Sequence, residues 1–167
     1  MYEQPASTEL SQGDILDGCP ILVWKLAPPP LDLDVPPETR IIRVVVLTQA
    51  CDLAQDKTTR VVVAPVHEAA ELVAGNILKA GAIRDQVRRG LVFGWYFLPA
   101  APSPINLGES IVDLREPHTI ERSTLEYLVG AGKRACRIRT PWREHLAQHF
   151  GTTYTRIALP EPYASQP

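Results

Sequence analysis

The chain has 167 residues, of which 45% are hydrophobic and 22% charged, and its formal charge is −2. That length suits one domain with a real core, and that charge removes the simple electrostatic case for a nucleic-acid binder, leaving only local basic patches. No apolar run is long enough to span a bilayer and no basic-then-apolar N-terminus resembles a signal peptide, so a cytoplasmic protein without a membrane partner is expected. Cys19, Cys51 and Cys136 are an odd set with no CxxC, which fits reduced thiols better than a disulfide framework. The 16 prolines cluster at Pro28–Pro30, Pro36–Pro37, Pro99–Pro104 and the C-terminus, as punctuation between strands.

Residues 1–12 are polar and aperiodic, which predicts a flexible arm ahead of a domain over residues 13–160 and a tail at 161–167. Gly13-Asp14-Ile15 opens the ordered chain. Ile15–Leu16 and Ile21–Leu26 read as one strand bent or bulged at Gly18–Pro20. Ala27–Glu38, rich in proline and acid, predicts an extended exposed loop.

Ile41–Thr48 and Arg60–Val66 are nearly continuous β-branched runs, the pattern of strands buried on both faces. The polar connection between them, Gln49–Lys57, is too long for a tight hairpin and suits a functional loop. Next, Ala69, Leu72, Val73, Ile77 and Leu78 recur at helical spacing, with Gly75 and Gly81 dividing the helix. Ile83 and Val87, with Arg84, Arg88 and Arg89, form a second amphipathic piece that Gly90 stops. Leu91–Leu98 and Ser110–Leu114 read as strands, and Thr119–Ile120 as a short edge segment. Ser123 is the expected N-cap of a helix through Leu125 and Leu128. Arg134–Arg139 alternates like a half-exposed strand, with a helix as the alternative. Thr140-Pro141 starts a last helix, on which Trp142, Leu146, Phe150 and Tyr154 are expected to line the buried face.

Cys51 and Asp52 are the first chemical candidates. A nucleophilic cysteine needs a base or positive charge nearby. His67 stands at the far end of the next strand, about nine residues of ~3.3 Å or roughly 30 Å away, so a Cys51–His67 pair is not expected. A structural thiol beside an Asx-turn is the plainer reading, with a cysteine-dependent hydrolase behind it. His145 and His149 share a helix face at the i, i+4 spacing that metal ligands use, but the sequence is not HExxH, and two histidines on a polar face are more often solvated. No metal or cofactor is expected. Arg84, Arg88 and Arg89 form one basic surface, and Arg134, Arg137, Arg139 and Arg143 a second; either would suit phosphates, and a solvated face is the commoner role. Phe93, Trp95, Tyr96 and Phe97 suggest either a stacking platform or a core strand, with Trp95 and Phe97 facing opposite to Tyr96.

The order of these segments resembles the MazF/PemK-like toxin barrel: a GDI strand, VVVLT, a polar loop, VVVAPV, and then ESIVDLREPHTIERSTL over Glu109–Leu125. LTQACDL and PWREHLAQHF together also resemble an uncharacterised bacterial family. The resemblance covers roughly Gly13–Leu128. It implies an α+β domain: a small, curled, mostly antiparallel SH3-like barrel with a helical insertion and a C-terminal amphipathic helix. It further implies RNA as a partner, a toxin–antitoxin setting with an antitoxin-like protein, and a homodimer. The family's arginine falls at Arg40 or Arg43, and its hydroxyl position at His67, which would have to transfer protons instead. On this reading Arg43, His67, Cys51 and Asp52 are the catalytic candidates, and Arg40, Arg84 and Arg88 the nucleic-acid contacts. A non-catalytic module for protein binding or dimerisation is the alternative from another class.

Overall fold

A computed structural model describes residues 1–24 and 36–155. Among them the chain is α+β, with eight strands in one sheet and five helices. The strands are β1 (Tyr2–Glu3), β2 (Asp14–Val23), β3 (Glu38–Val46), β4 (Arg60–Glu68), β5 (Trp95–Leu98), β6 (Ser110–Asp113), β7 (His118–Glu121) and β8 (Arg134–Ile138). The helices are α1 (Ala50–Ala54), α2 (Ala69–Ala74), α3 (Ala80–Asp85), α4 (Arg122–Gly130) and α5 (Trp142–Tyr154). The sheet runs β1-β8-β2-β3-β4-β6-β5, with β7 also on β4, and every pairing is antiparallel. The sheet does not close: β1 and β5 stand at its two ends.

The β-branched runs form the centre of this sheet because they are apolar on both faces. Alternation divides them. Ile15, Val45 and Ala64 enter one core with Tyr96, Leu98 and Leu146. Leu16, Val44, Val46 and Val63 enter the opposite core with Leu125, Leu128 and Val129 of α4. A third cluster joins Leu72, Ile83 and Val87 of the helical insertion to Trp95 and Ile111. Burial of each such side chain stabilises the fold by about 1.5–3 kcal/mol.

The expected break in β2 is a bulge. The register on β3 slips between Leu16 and Cys19, where Gly18 takes φ +78°. Gly75 caps α2, and Gly90, at φ 67°, ends the 3-10 turn Val87–Arg89. Elsewhere the tertiary structure departs from local pattern. The N-terminal segment is tied down: Tyr2 and Glu3 pair with Ile138 and Arg137, and Leu10 is buried. Its anchors lie more than 120 residues away, beyond the reach of a local reading. Leu91–Gly94 is a turn, so the aromatic strand begins only at Trp95. Glu121, not Ser123, is the N-cap of α4, and no side chain caps it. The proline-rich loop predicted at Ala27–Glu38 lies mostly outside the described residues, as do residues 156–167.

Gly94 shows why that turn needs glycine. Its φ is +83°, and a Cβ there would stand 2.5 Å from Cγ of Arg115. Arg115 is held bidentate by Asp113, at 2.9 and 2.7 Å, and lies over the Trp95 ring at 3.8 Å. Gly94→Ala is expected to cost about 1–2 kcal/mol in backbone strain alone, with more if Arg115 leaves Trp95. Urea denaturation checks this, and an unchanged midpoint would mean the turn relaxes freely.

Candidate functional site

The residues proposed from sequence for one catalytic site are not brought together. Arg43 shares the face of Val45, whereas His67 shares the face of Val63, so the sheet lies between them. Arg43 Nε pairs with Asp17 Oδ1 at 2.5 Å across the β2 bulge. His67 is half-buried and in register with Ile111. Arg40 is exposed, 3.6 Å from Glu38. Arg84 binds Asp85 through two hydrogen bonds, and Arg88 binds Glu109 at 2.5 Å. In the second basic stretch, Arg134 and Arg137 hold the fully buried Asp14, and Arg143 holds Glu144. A guanidinium already bound to carboxylate contributes little to phosphate binding without a rearrangement.

The Gln49–Lys57 connection contains α1, a single helical turn or so that the sequence reading missed. α1 turns Ala50, Leu53 and Ala54 toward a cavity of about 520 Å³ that the N-terminal segment also lines; Cys51 and Asp52 are not part of that lining. Cys51 is exposed, with Gln49 Oε1 at 3.6 Å and Asp52 Oδ1 at 3.8 Å from its sulfur. Lys57 Nζ reaches Asp52 at 4.0 Å. Among the described residues no histidine is a hydrogen-bond partner of Cys51. Burial pushes the Cys19 thiol up to about 11 and the Cys136 thiol up to about 12. A maleimide at neutral pH is therefore expected to label Cys51 well before the other two, and equal labelling in the native state would contradict the buried positions. Selective labelling here reports exposure, so it does not by itself identify a nucleophile.

A different group of residues does converge. α5 crosses β5 and brings His145 and His149 to Tyr96. The Tyr96 hydroxyl lies 3.0 Å from His145 Nδ1 and 3.4 Å from the Trp142 carbonyl oxygen. The Tyr96 ring centroid is 5.5 Å from that of His145 and 5.7 Å from that of His149. Beside this pair opens a cleft of about 300 Å³, walled by Val87, Trp95, Tyr96, Phe97, Pro99, Trp142 and His145, with Met1, Arg88 and Gly90 completing its lining. Among the described residues no three His, Cys, Asp or Glu side chains form a metal-binding group. No helix there is long and apolar enough to cross a membrane.

The four-residue spacing predicts the stripe Trp142, Leu146, Phe150, Tyr154 facing the core, with both histidines beside it. Only Leu146 and His149 are buried on α5, while Trp142 and Tyr154 are 46% and 52% exposed. Four residues turn a helix by about 400°, so a strict i+4 stripe drifts about 40° per step and leaves the core at both ends. The signal that would have found the site is the i, i+3 pair Leu146 and His149, centred on that stripe.

His149 is 9% exposed, its Nε2 has no hydrogen-bond partner, and Phe93 stacks on its ring at a centroid distance of 6.2 Å. Burial pushes its pKa below the ordinary 6.5 and neighbouring His145 pushes the same way, against backbone interactions from Val92 and Trp95. The unfolded chain then takes up protons at a higher pH than the folded one. The contribution of neutral His149 is complete above the unfolded value and is lost as pH falls through it toward the folded value. We expect the thermal midpoint to drop as pH falls below the ordinary histidine value of 6.5, and His149→Met to flatten that slope. An unaltered slope in the variant would assign the effect elsewhere.

No protein-family model matches this chain, and neither a curated protein nor a solved structure matches it.

Proposed function

We propose that the chain is a non-catalytic recognition module whose ligand enters the cleft between β5 and α5. The observation that carries this reading is the Tyr96–His145 hydrogen bond at 3.0 Å on the wall of a cleft lined mostly by aromatic and apolar residues, with Arg88 its one charged side chain. Such clefts, with a few placed polar groups, are the usual form of small-ligand and side-chain recognition sites. The separation of Arg43 from His67 by the sheet supports recognition over hydrolysis. A panel of small aromatic fragments is expected to raise the thermal midpoint of the protein, and Trp142→Ala to remove the rise. A panel without a single Trp142-dependent stabilising fragment would sink the reading.

A second reading keeps the MazF/PemK-type barrel, with altered ribonuclease chemistry and an antitoxin-like partner or a homodimer. It is supported by the placement of GDI, VVVLT and VVVAPV on adjacent strands, β2, β3 and β4. Its roles are phosphate binding at Arg40 or Arg43 and proton transfer at His67. Cleavage of single-stranded RNA that vanishes in His67→Ala would favour it; an intact RNA would remove it.

A further inference from the structure

The chemistry lining the cleft narrows what it can take, an argument that rests on the recognition reading above. Its lining includes Trp142, 46% exposed, on α5, and Phe97 on β5, whose ring lies under the Arg88 guanidinium. An exposed indole face rewards a planar guest, because stacking buries both rings. The volume of about 300 Å³ is at the small end of ligand sites, enough for one ring and its substituent.

Polarity and charge are equally restrictive. Tyr96 has its phenol pushed up to about 12 by burial, so it keeps its proton and donates. At 3.0 Å, His145 Nδ1 is a better acceptor for that proton than the Trp142 carbonyl at 3.4 Å. An imidazole that accepts at Nδ1 carries its own hydrogen at Nε2. His145 is exposed, so this N–H is a donor available to a guest. Arg88 is the one lining side chain with a full charge; its guanidinium is bound to Glu109 at 2.5 Å and lies 4.7 Å from the Phe97 centroid. That pairing compensates the one charged side chain of the lining.

We infer that the β5–α5 cleft binds an uncharged planar heteroaromatic ring with a hydrogen-bond acceptor on its edge, stacked on Trp142 and held by His145 Nε2–H. A nucleobase is the common biological ring of this description. An unsubstituted hydrocarbon ring offers no acceptor, and an aliphatic ring offers no face. The base could belong to a free nucleoside or to an unpaired strand, and both present the same edge.

Calorimetric titration of the whole protein tests this. The probes are adenosine and uridine, their 5′-monophosphates, toluene, and a short single-stranded oligonucleotide. Saturable binding of a nucleoside is expected, with little dependence on salt. Trp142→Ala is expected to weaken it by at least about tenfold, and His145→Phe, which keeps the ring and removes the donor, by about three- to tenfold. Both side chains are exposed, so both variants should fold, and Trp142→Phe should restore most of the binding. An oligonucleotide that binds far more tightly than the nucleosides, with the same dependence on Trp142, assigns the ring to a strand; equal affinities assign it to free nucleosides. A monophosphate that binds more than about tenfold tighter than its nucleoside, or nucleoside binding unchanged in Trp142→Ala, overturns the proposal. Toluene binding without nucleoside binding also overturns it, while leaving the cleft as a recognition site. If no ring binds at all, the recognition reading falls as well.

Discussion

Asp14→Ala is expected to lower the stability of the fold by about 3–5 kcal/mol, the cost of removing one partner from a buried ion pair. Asp14 is fully buried. Arg137 grips it through Nε at 2.7 Å and a second nitrogen at 2.9 Å, Arg134 approaches at 3.4 Å, and the Ser11 amide donates to it at 2.9 Å. The two guanidiniums, 9% and 13% exposed as side chains, would lose their only carboxylate partner among the described residues. They also donate to the backbone carbonyls of Pro5, Ser7 and Glu9, so the same cluster fastens the N-terminal segment over β8. Two readouts should move together: the urea midpoint falls, and a protease begins to cut among residues 4–9. A loss under about 1 kcal/mol with an uncut segment would show that the cluster holds neither. A simultaneous apolar replacement of all three residues need not be costly, since the desolvation of a buried ion pair offsets much of its attraction.

Leu146→Ala should cost about 2–5 kcal/mol, because it empties a filled position in a close-packed core. Leu146 is 1% exposed and packs with Ile138, Tyr96 and Leu98 in the cluster that covers one face of the sheet. It is the buried aliphatic anchor of α5; the other buried residue on that helix, His149, brings a polar ring. Trp142→Ala, at a half-exposed position, should change stability by less than about 1 kcal/mol. This contrast separates fold from site. Leu146→Ala should lower the midpoint and weaken any ligand of the cleft, since α5 is one wall; Trp142→Ala should weaken the ligand alone. Equal midpoints for the two variants would contradict the packing described.

Much of the fold was legible in residue order. The two β-branched runs became β3 and β4, buried on both faces at Val44–Val46 and Val63–Val66 but not at Ile41, which is 65% exposed, and Gly18 and Gly90 bent or stopped the chain where expected. Trp95 and Phe97 pack opposite to Tyr96, as period-2 alternation requires. The site was legible only in fragments. His145, His149 and Tyr96 were each noticed, but their meeting depends on how α5 crosses β5, nearly 50 residues apart in sequence. Arg43, Arg88, Arg134 and Arg137 looked available for phosphate because their carboxylates lie between 21 and 123 residues away.

Local stereochemistry thus determined the strands, the bends and the helical segments, since hydrophobic period and glycine conformation act over a few residues. Tertiary structure alone decided which charges are neutralised, which histidine is buried and which rings wall a cleft. Those properties depend on through-space distances of a few ångströms, and chain order does not encode such distances until the sheet has brought its edges and helices together.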